Sequence, residues 1–158
     1  MEEEVLAKMN FIEYKITDFN FKLNENHKKS DLEQSNPEYH PEIFMMVGKH
    51  ENDSDAYCVR LGININEEPE DFPFELSITL EGWFGFEGCS DNEIDGFLKY
   101  NAVAALFPYL RATISQITLF AGCSALVLPL LNITELINHA EQVSINDVSE
   151  VASELGKA

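Results

Sequence analysis

Residues 101–137 contain only two charged side chains, Arg111 and Glu135, in a chain whose formal net charge is -18. A segment this poor in charge has to be covered by the chain's own core, by another protein or by lipid. A membrane span is the first possibility to weigh, because residues 112–131 are 20 in a row without a charge, about the length a bilayer requires. The composition argues against it. Thr113, Ser115, Gln116, Thr118, Gly122, Ser124 and Pro129 interrupt the segment, and no basic cluster flanks it to set an orientation. No membrane insertion is expected. The start, Met1-Glu2-Glu3-Glu4, is acidic where a secretory signal needs basic residues, so a cytoplasmic location is expected.

The 158 residues supply material for one domain with a sizeable core. A hydrophobic content of 45% with 11 Phe excludes a disordered chain in spite of the charge. With 28 acids against 10 bases the chain lacks the basic footprint that nucleic acid demands. Cys58, Cys89 and Cys123 are an odd count without metal or redox spacing, and read as reduced thiols.

The first half of the chain has the two-residue period of strands. Ile12, Tyr14 and Ile16 alternate on even positions, then Phe19, Phe21 and Leu23 on odd ones. That switch predicts a bulge near Thr17 and Asp18, because one inserted residue transfers the apolar set to the other face. A polar loop leads to a second strand with Ile43, Met45 and Val47. The third sets Tyr57, Val59, Leu61, Ile63 and Ile65 against Cys58, Arg60, Gly62, Asn64 and Asn66, the alternation of a half-buried antiparallel strand. The fourth carries Phe72, Phe74, Leu76, Ile78, Leu80, Gly82, Phe84 and Phe86 on one face, with Glu75, Ser77, Glu81 and Trp83 on the other. Four strands before any helical signal predict an α+β fold with helices packed on one face of an antiparallel sheet.

A long helix follows, capped by Asp91 or Asn92, with a stripe of Ile94, Leu98, Ala102, Ala105, Tyr109 and Ile117. Leu106, Leu110, Ile114 and Phe120 widen that stripe beyond one buried face. Pro108 is expected to kink or break the helix, at about 3 kcal/mol. Gly122 suits the residue after the helix end. Residues 126–131 hold Pro129 and no helical stripe, so an extended crossover is expected. Asn132 then caps a second helix with Glu135 three residues on, and Ile145, Val148, Val151 and Leu155 mark a last amphipathic turn.

The run Leu106-Phe107-Pro108-Tyr109-Leu110-Arg111, followed by Ile114-Ser115, Gly122, Leu128-Pro129 and Asn132, resembles the SecB family of export chaperones. Gly82-Trp83-Phe84 at the end of the fourth strand, the element order and the acidic composition extend the resemblance over about residues 11–141. It implies a single SecB-like domain over residues 1–158: tail 1–10, sheet 11–88, long helix 91–121, crossover 122–131, second helix 132–143 and C-terminal tail or helix 144–158. It also implies a four-stranded sheet with two helices on one face, a dimer of dimers forming a homotetramer, and no cofactor. Members bind unfolded or partly folded polypeptides in apolar grooves; some pass them to the SecA motor, and others guard an antitoxin.

On that likeness Phe72, Trp83, Phe84 and Phe86 are groove candidates, with Trp83 set apart because parity puts it on the polar face. Leu126, Val127, Leu128, Leu130 and Leu131 form a groove rim, continued by Ile133 and Ile137. For Phe74, Leu76 and Ile78 a place in the sheet-to-helix core is the simpler reading. Leu106, Tyr109, Leu110, Ile114 and Ile117 are candidates for the subunit interface, where Arg111 is expected to meet an acid. Motor docking in the family uses acids on the solvent face of the sheet. Asp18, Glu75 and Glu81 fit that use, whereas Lys22 and Ser77 depart from it.

Enzymatic motifs are missing. His27, His40, His50 and His139 are scattered without ligand spacing, and Asp53-Ser54-Asp55 lacks the glycine and glutamate of a calcium loop. The expected function is an ATP-independent holdase, with a binding protein for small apolar ligands as the alternative from another class.

Overall fold

The structure, a computed structural model, describes residues 8–25, 27, 39–49, 56–130 and 132–135. Four strands, β1 (Met9–Leu23), β2 (Glu42–Lys49), β3 (Ala56–Ile65) and β4 (Phe74–Phe86), form one antiparallel sheet in the order β1-β4-β3-β2. β1 and β2 are its two edges. The sheet begins at Met9, before the expected tail ends.

β1 carries two register shifts, between Phe11 and Glu13 and between Ile16 and Asp18. The second is the bulge expected from parity. The first corrects the placing of Ile12, which lies at the irregularity and not in the apolar row. Each shift reverses the alternation, so Met9, Phe11, Tyr14, Ile16, Phe19, Phe21 and Leu23 all lie opposite the even residues of β4. A 15-residue strand thereby keeps one apolar face despite its mixed parity. Asn24 secures its end, its backbone N–H donating to the Pro73 carbonyl and its Nδ2 to the Phe72 carbonyl, each at 2.8 Å.

The helical part is α1 (Asp91–Gly96), a π-helical turn (Phe97–Ala102) and α2 (Val103–Phe120), continuous because the junction residues keep helical dihedrals. The cap is Ser90, not Asp91 or Asn92. Its extended backbone lets Oγ accept from the Glu93 N–H at 3.3 Å, while Glu93 Oε2 accepts from the Ser90 N–H at 2.9 Å. That bond to Ser90, reinforced by Lys8, holds the Glu93 carboxyl below its ordinary pKa. Pro108 neither breaks nor ends α2. It and Ala104, whose carbonyl loses the N–H that residue 108 would otherwise donate, are both exposed, so the lost hydrogen bond lies on the solvent face of the helix.

Gly122, at φ +87°, ends the helix. The Cys123 N–H donates to the Thr118 carbonyl at 3.0 Å and the Gly122 N–H to the Leu119 carbonyl at 3.1 Å, the paired bonds of a Schellman cap. Residues 124–130 then run without regular structure, as expected of the crossover, and Asn132 Oδ1 accepts from the Glu135 N–H at 3.3 Å where a further helix starts. The body of that second helix and the C-terminal turn with Ile145, Val148, Val151 and Leu155 lie outside the described residues.

The core fills the space between the helix and the odd residues of β3 and even residues of β4: Val59, Leu61, Ile63, Leu76, Ile78, Leu80 and Phe84 meet Leu98, Leu106, Leu110 and Ile114. Leu106 is wholly buried because β4 has no side chain at Gly82; a Cβ there stands 2.6 Å from Leu106 Cδ2. Gly82→Val is expected to lift the helix off the sheet and cost about 1–3 kcal/mol, the usual range for overpacking. Urea unfolding followed by far-UV circular dichroism checks it, and an unchanged midpoint refutes the close fit.

Candidate functional groove

Among the described residues, exposed and half-buried apolar side chains gather mainly in three places. The first is a groove of about 340 Å³ between the β2 edge and the start of the helix. Met45 and Val47 of β2, Tyr57 of β3, Ile94 of α1 and Leu98 of the π turn provide its apolar lining, with Lys49, Asp91, Asp95 and Lys99 around it. The charges are partly held: Lys99 Nζ lies 3.7 Å from Asp95 Oδ2, and Lys49 Nζ sits 5.5 Å from the centre of the Tyr57 ring. The groove is open to solvent along β2, the edge strand of the sheet. An apolar trough beside a strand that has no second neighbour among the described residues suits an extended chain, which can present alternate side chains and main-chain hydrogen-bonding groups together.

The second is the β1 row. Tyr14, Ile16, Phe19 and Leu23 face the helix side of the sheet, yet remain 38–50% exposed because α2 lies over β3 and β4. Phe21 is half-buried against Phe74, and the Phe11 end is covered where Tyr109 of α2 meets the rings of Phe11 and Tyr14 at centroid distances of 5.9 and 4.5 Å. The third is the helix end with the crossover, where Phe120 is 88% and Leu130 83% exposed.

A row of polar side chains on one helix face fastens the crossover. Arg111 Nε donates to the Leu128 carbonyl at 2.9 Å, Ser115 Oγ to the Leu126 carbonyl at 2.9 Å, and Thr118 Oγ1 accepts from the Leu126 N–H at 2.8 Å. Thr118 meanwhile donates to the Ile114 carbonyl at 2.8 Å, so this fully buried hydroxyl is satisfied on both sides. Arg111 Nε thus serves a main-chain carbonyl of its own chain.

Several sequence-predicted residues take other places. Phe72, Phe84 and Leu128 are in the core, as are Leu106, Leu110 and Ile114, so within this protomer they offer no surface to a client or a second copy. Phe84 by its pleat position and Leu106, Leu110 and Ile114 by their helix face meet the opposite layer, and Phe72 and Leu128 join them from the turn before β4 and from the crossover. Phe86 is half-buried, with its ring 5.5 Å from that of Tyr57 beside the groove. Leu126, Ile117 and Ile133 are half-buried against the core, while Val127, Leu130 and Tyr109 are exposed. Leu131 and Ile137 lie outside the described residues. The groove residues Met45, Val47, Ile94 and Leu98 were readable as apolar positions, but which strand would be an edge was not.

The opposite sheet face holds Asp18, Glu75, Glu81 and Trp83. Lys22 stands across from Glu75, and Lys15 across from Glu81, on the neighbouring strand. Glu81 is 9% exposed and engaged twice, accepting from Arg60 Nε at 3.0 Å and from Trp83 Nε1 at 2.9 Å. It is not a free docking carboxylate. Cys58 lies fully buried in this face, and burial, with Glu81 nearby, pushes its thiol up to about 12. Among the described residues no three His, Cys, Asp or Glu side chains gather as a metal site. The helix Asp91–Phe120 is long and apolar enough to cross a membrane by length and composition, but its buried stripe packs on the sheet as a core helix does.

At pH 8 a maleimide is expected to label native Cys89 at least ten-fold faster than Cys58, whose thiolate fraction is minute and whose sulfur is covered. Peptide mapping by mass spectrometry reads the order, and equal rates refute the buried environment assigned to Cys58.

Comparison with known proteins gives one direction. Residues 2–144 match the family described as "Preprotein translocase subunit SecB". The chain is 26% identical over 156 residues to an uncharacterized protein of Methanocaldococcus jannaschii, covering 98% of each. It is 30% identical over 94 residues to the protein-export protein SecB of Magnetococcus marinus, which spans 58% of this chain and 60% of that one. Among solved structures, the SecB-like chaperone of Mycobacterium tuberculosis in complex with a ChAD peptide from the HigA1 antitoxin superposes with a TM-score of 0.62. The two share 14% identity, over 79% of this chain and 91% of that one, a likeness of fold.

Proposed function

The chain belongs to the SecB family of chaperones, and from that premise we propose that it is a cytoplasmic, ATP-independent holdase for unfolded or partly folded polypeptides. The observation that carries this reading is the apolar groove lying open along the β2 edge. An extended client segment buries alternate side chains against Met45, Val47 and Tyr57 and pairs its backbone with the edge. Each side chain so buried contributes about 1.5–3 kcal/mol, enough to hold a chain and too little to read its sequence. The small-ligand alternative is less favoured, because the space beneath the helix is filled by Leu106, Leu110 and Ile114 and the apolar volume is an open trough.

The exposed β1 row with Tyr109 supports assembly with further copies of the chain, the homotetramer of the family being the expected state. Such an assembly brings several grooves together and gains avidity without new contacts. The high negative charge keeps a particle with this much apolar surface in solution. Clients range from exported precursors to a dedicated antitoxin. Handover to SecA is the less favoured route, because Lys15, Lys22 and Arg60 offset the acids on the outer sheet face.

Light scattering of a chemically unfolded, aggregation-prone client tests the reading. Equimolar tetramer is expected to suppress aggregation without nucleotide, and no suppression overturns the proposal. Met45→Glu, which puts a charge in the groove from an edge strand, is expected to weaken client binding by about ten-fold or more, at a cost near 1.4 kcal/mol per decade. Fluorescence anisotropy of a labelled client measures this, with the unfolding midpoint as the control. For assembly, Ile16→Glu with Phe19→Glu is expected to reduce the particle mass in size-exclusion light scattering; a tetramer that survives both changes locates the interface elsewhere.

A further inference from the structure

The buried positions Leu98, Ala102, Leu106, Leu110 and Ile114 recur every four residues. An α-helix turns about 100° per residue, so a four-residue repeat drifts by about 40° per step and about 160° between Ile114 and Leu98. A regular helix would swing Leu98 away from the sheet, yet Leu98 is 4% exposed and Ala102 is fully covered. The π turn at Phe97–Ala102, with its slower winding, takes up about 100° of that drift. It is therefore what holds Leu98 on the sheet and sets Ile94 and Asp95 along the groove.

The two sides of this turn are anchored very differently. Downstream, α2 buries Val103, Leu106, Phe107, Leu110, Ile114 and Thr118. Upstream, α1 buries no residue at all, although it forms the groove's helical wall. Gly96 stands at the junction, where an added Cβ meets nothing within 4 Å. Among the described residues, α1 is held to the body by the half-buried Ile94 and the exposed Lys8–Glu93 ion pair, while the Ser90 capping box and the Lys99–Asp95 pair act within the helix; exposed pairs of this kind hold weakly.

We propose that the π turn is the adjustable joint of the groove wall, and that it fits the groove to client side chains of different bulk. Relaxing the turn to α-helix, with α2 fixed, rotates α1 by about 100° and moves it about 1.5 Å. A neighbouring side chain then takes the place Ile94 holds, and the groove changes width. The inference rests on the client-groove reading, and its occupant is the same: an extended apolar segment of a non-native polypeptide, anchored by one large or small side chain.

Amide hydrogen exchange on the full chain tests the joint without any client. Amides of 91–102 are expected to exchange at least ten-fold faster than those of 106–118. Deleting Asn101, an exposed residue of the π turn, brings Leu98 and Ala102 to α-helical spacing with both still on the sheet, and should slow exchange of 91–102 at least ten-fold. Should that variant not fold, Gly96→Ala is expected to slow exchange of 91–96 about five-fold, from the helix propensity gained. Wild-type protection of 91–102 equal to that of 106–118, or no slowing in the folding variant, overturns the proposal. Two extended peptides differing only in a Trp or Val anchor then probe adaptation. Wild type is expected to bind both within three-fold, and the deletion variant to separate them at least ten-fold; an unchanged ratio in that variant also overturns the joint. A wild-type chain that binds neither peptide overturns the client reading instead, and exchange alone decides the joint.

Discussion

Leu106 occupies the space that a side chain at position 82 would fill, and this close seating sets the level of the long helix over the sheet. Once the helix is held there, its four-residue repeat has to be reconciled with α-helical winding, which calls for the π turn. The stripe then continues through Leu110 and Ile114 over β3 and β4. A helix that covers the two central strands leaves the edge strands only partly covered. Both apolar strips beside the sheet, the β1 row and the β2 groove, follow from that one contact.

The crossover depends on the same helix. Arg111, Ser115 and Thr118 lie on one helix face and hold the backbone of residues 126–128, so the segment returns along α2 with the Leu126 and Leu128 carbonyls and the Leu126 N–H satisfied. Leu128 turns inward as a result, while Val127 and Leu130 turn outward. The charge-poor block thus divides by role. One face of its helical part fills the core, and Val127 and Leu130 of the crossover face solvent, where a client or another copy can meet them.

Much of the fold was readable in local pattern. Strict alternation in β3 and β4 made their faces plain, the parity change at Thr17 revealed one bulge, and Gly122 and Asn132 marked helix ends by their own chemistry. Ser90 was equally legible, since a serine three residues before a glutamate makes a capping box. The site was much less so. Leu106, Leu110 and Ile114 resembled surplus surface because a stripe wider than one face looks the same whether it meets a broad sheet or a second subunit. Met45 and Val47 looked like ordinary strand residues, because strand order, which made β2 an edge, depends on long-range pairing.

By itself the sequence determined which residues alternate, where helices start and stop, and that a segment with almost no charge must be covered. These properties belong to neighbours along the chain and to transfer from water. Only the tertiary structure decided which of that apolar surface is core and which remains available. That depends on the order of strands and the seat of the helix at Gly82, which bring together residues far apart in sequence. It also decided that Glu81 is occupied by Arg60 and Trp83, since a carboxylate's partners come from adjoining strands in space.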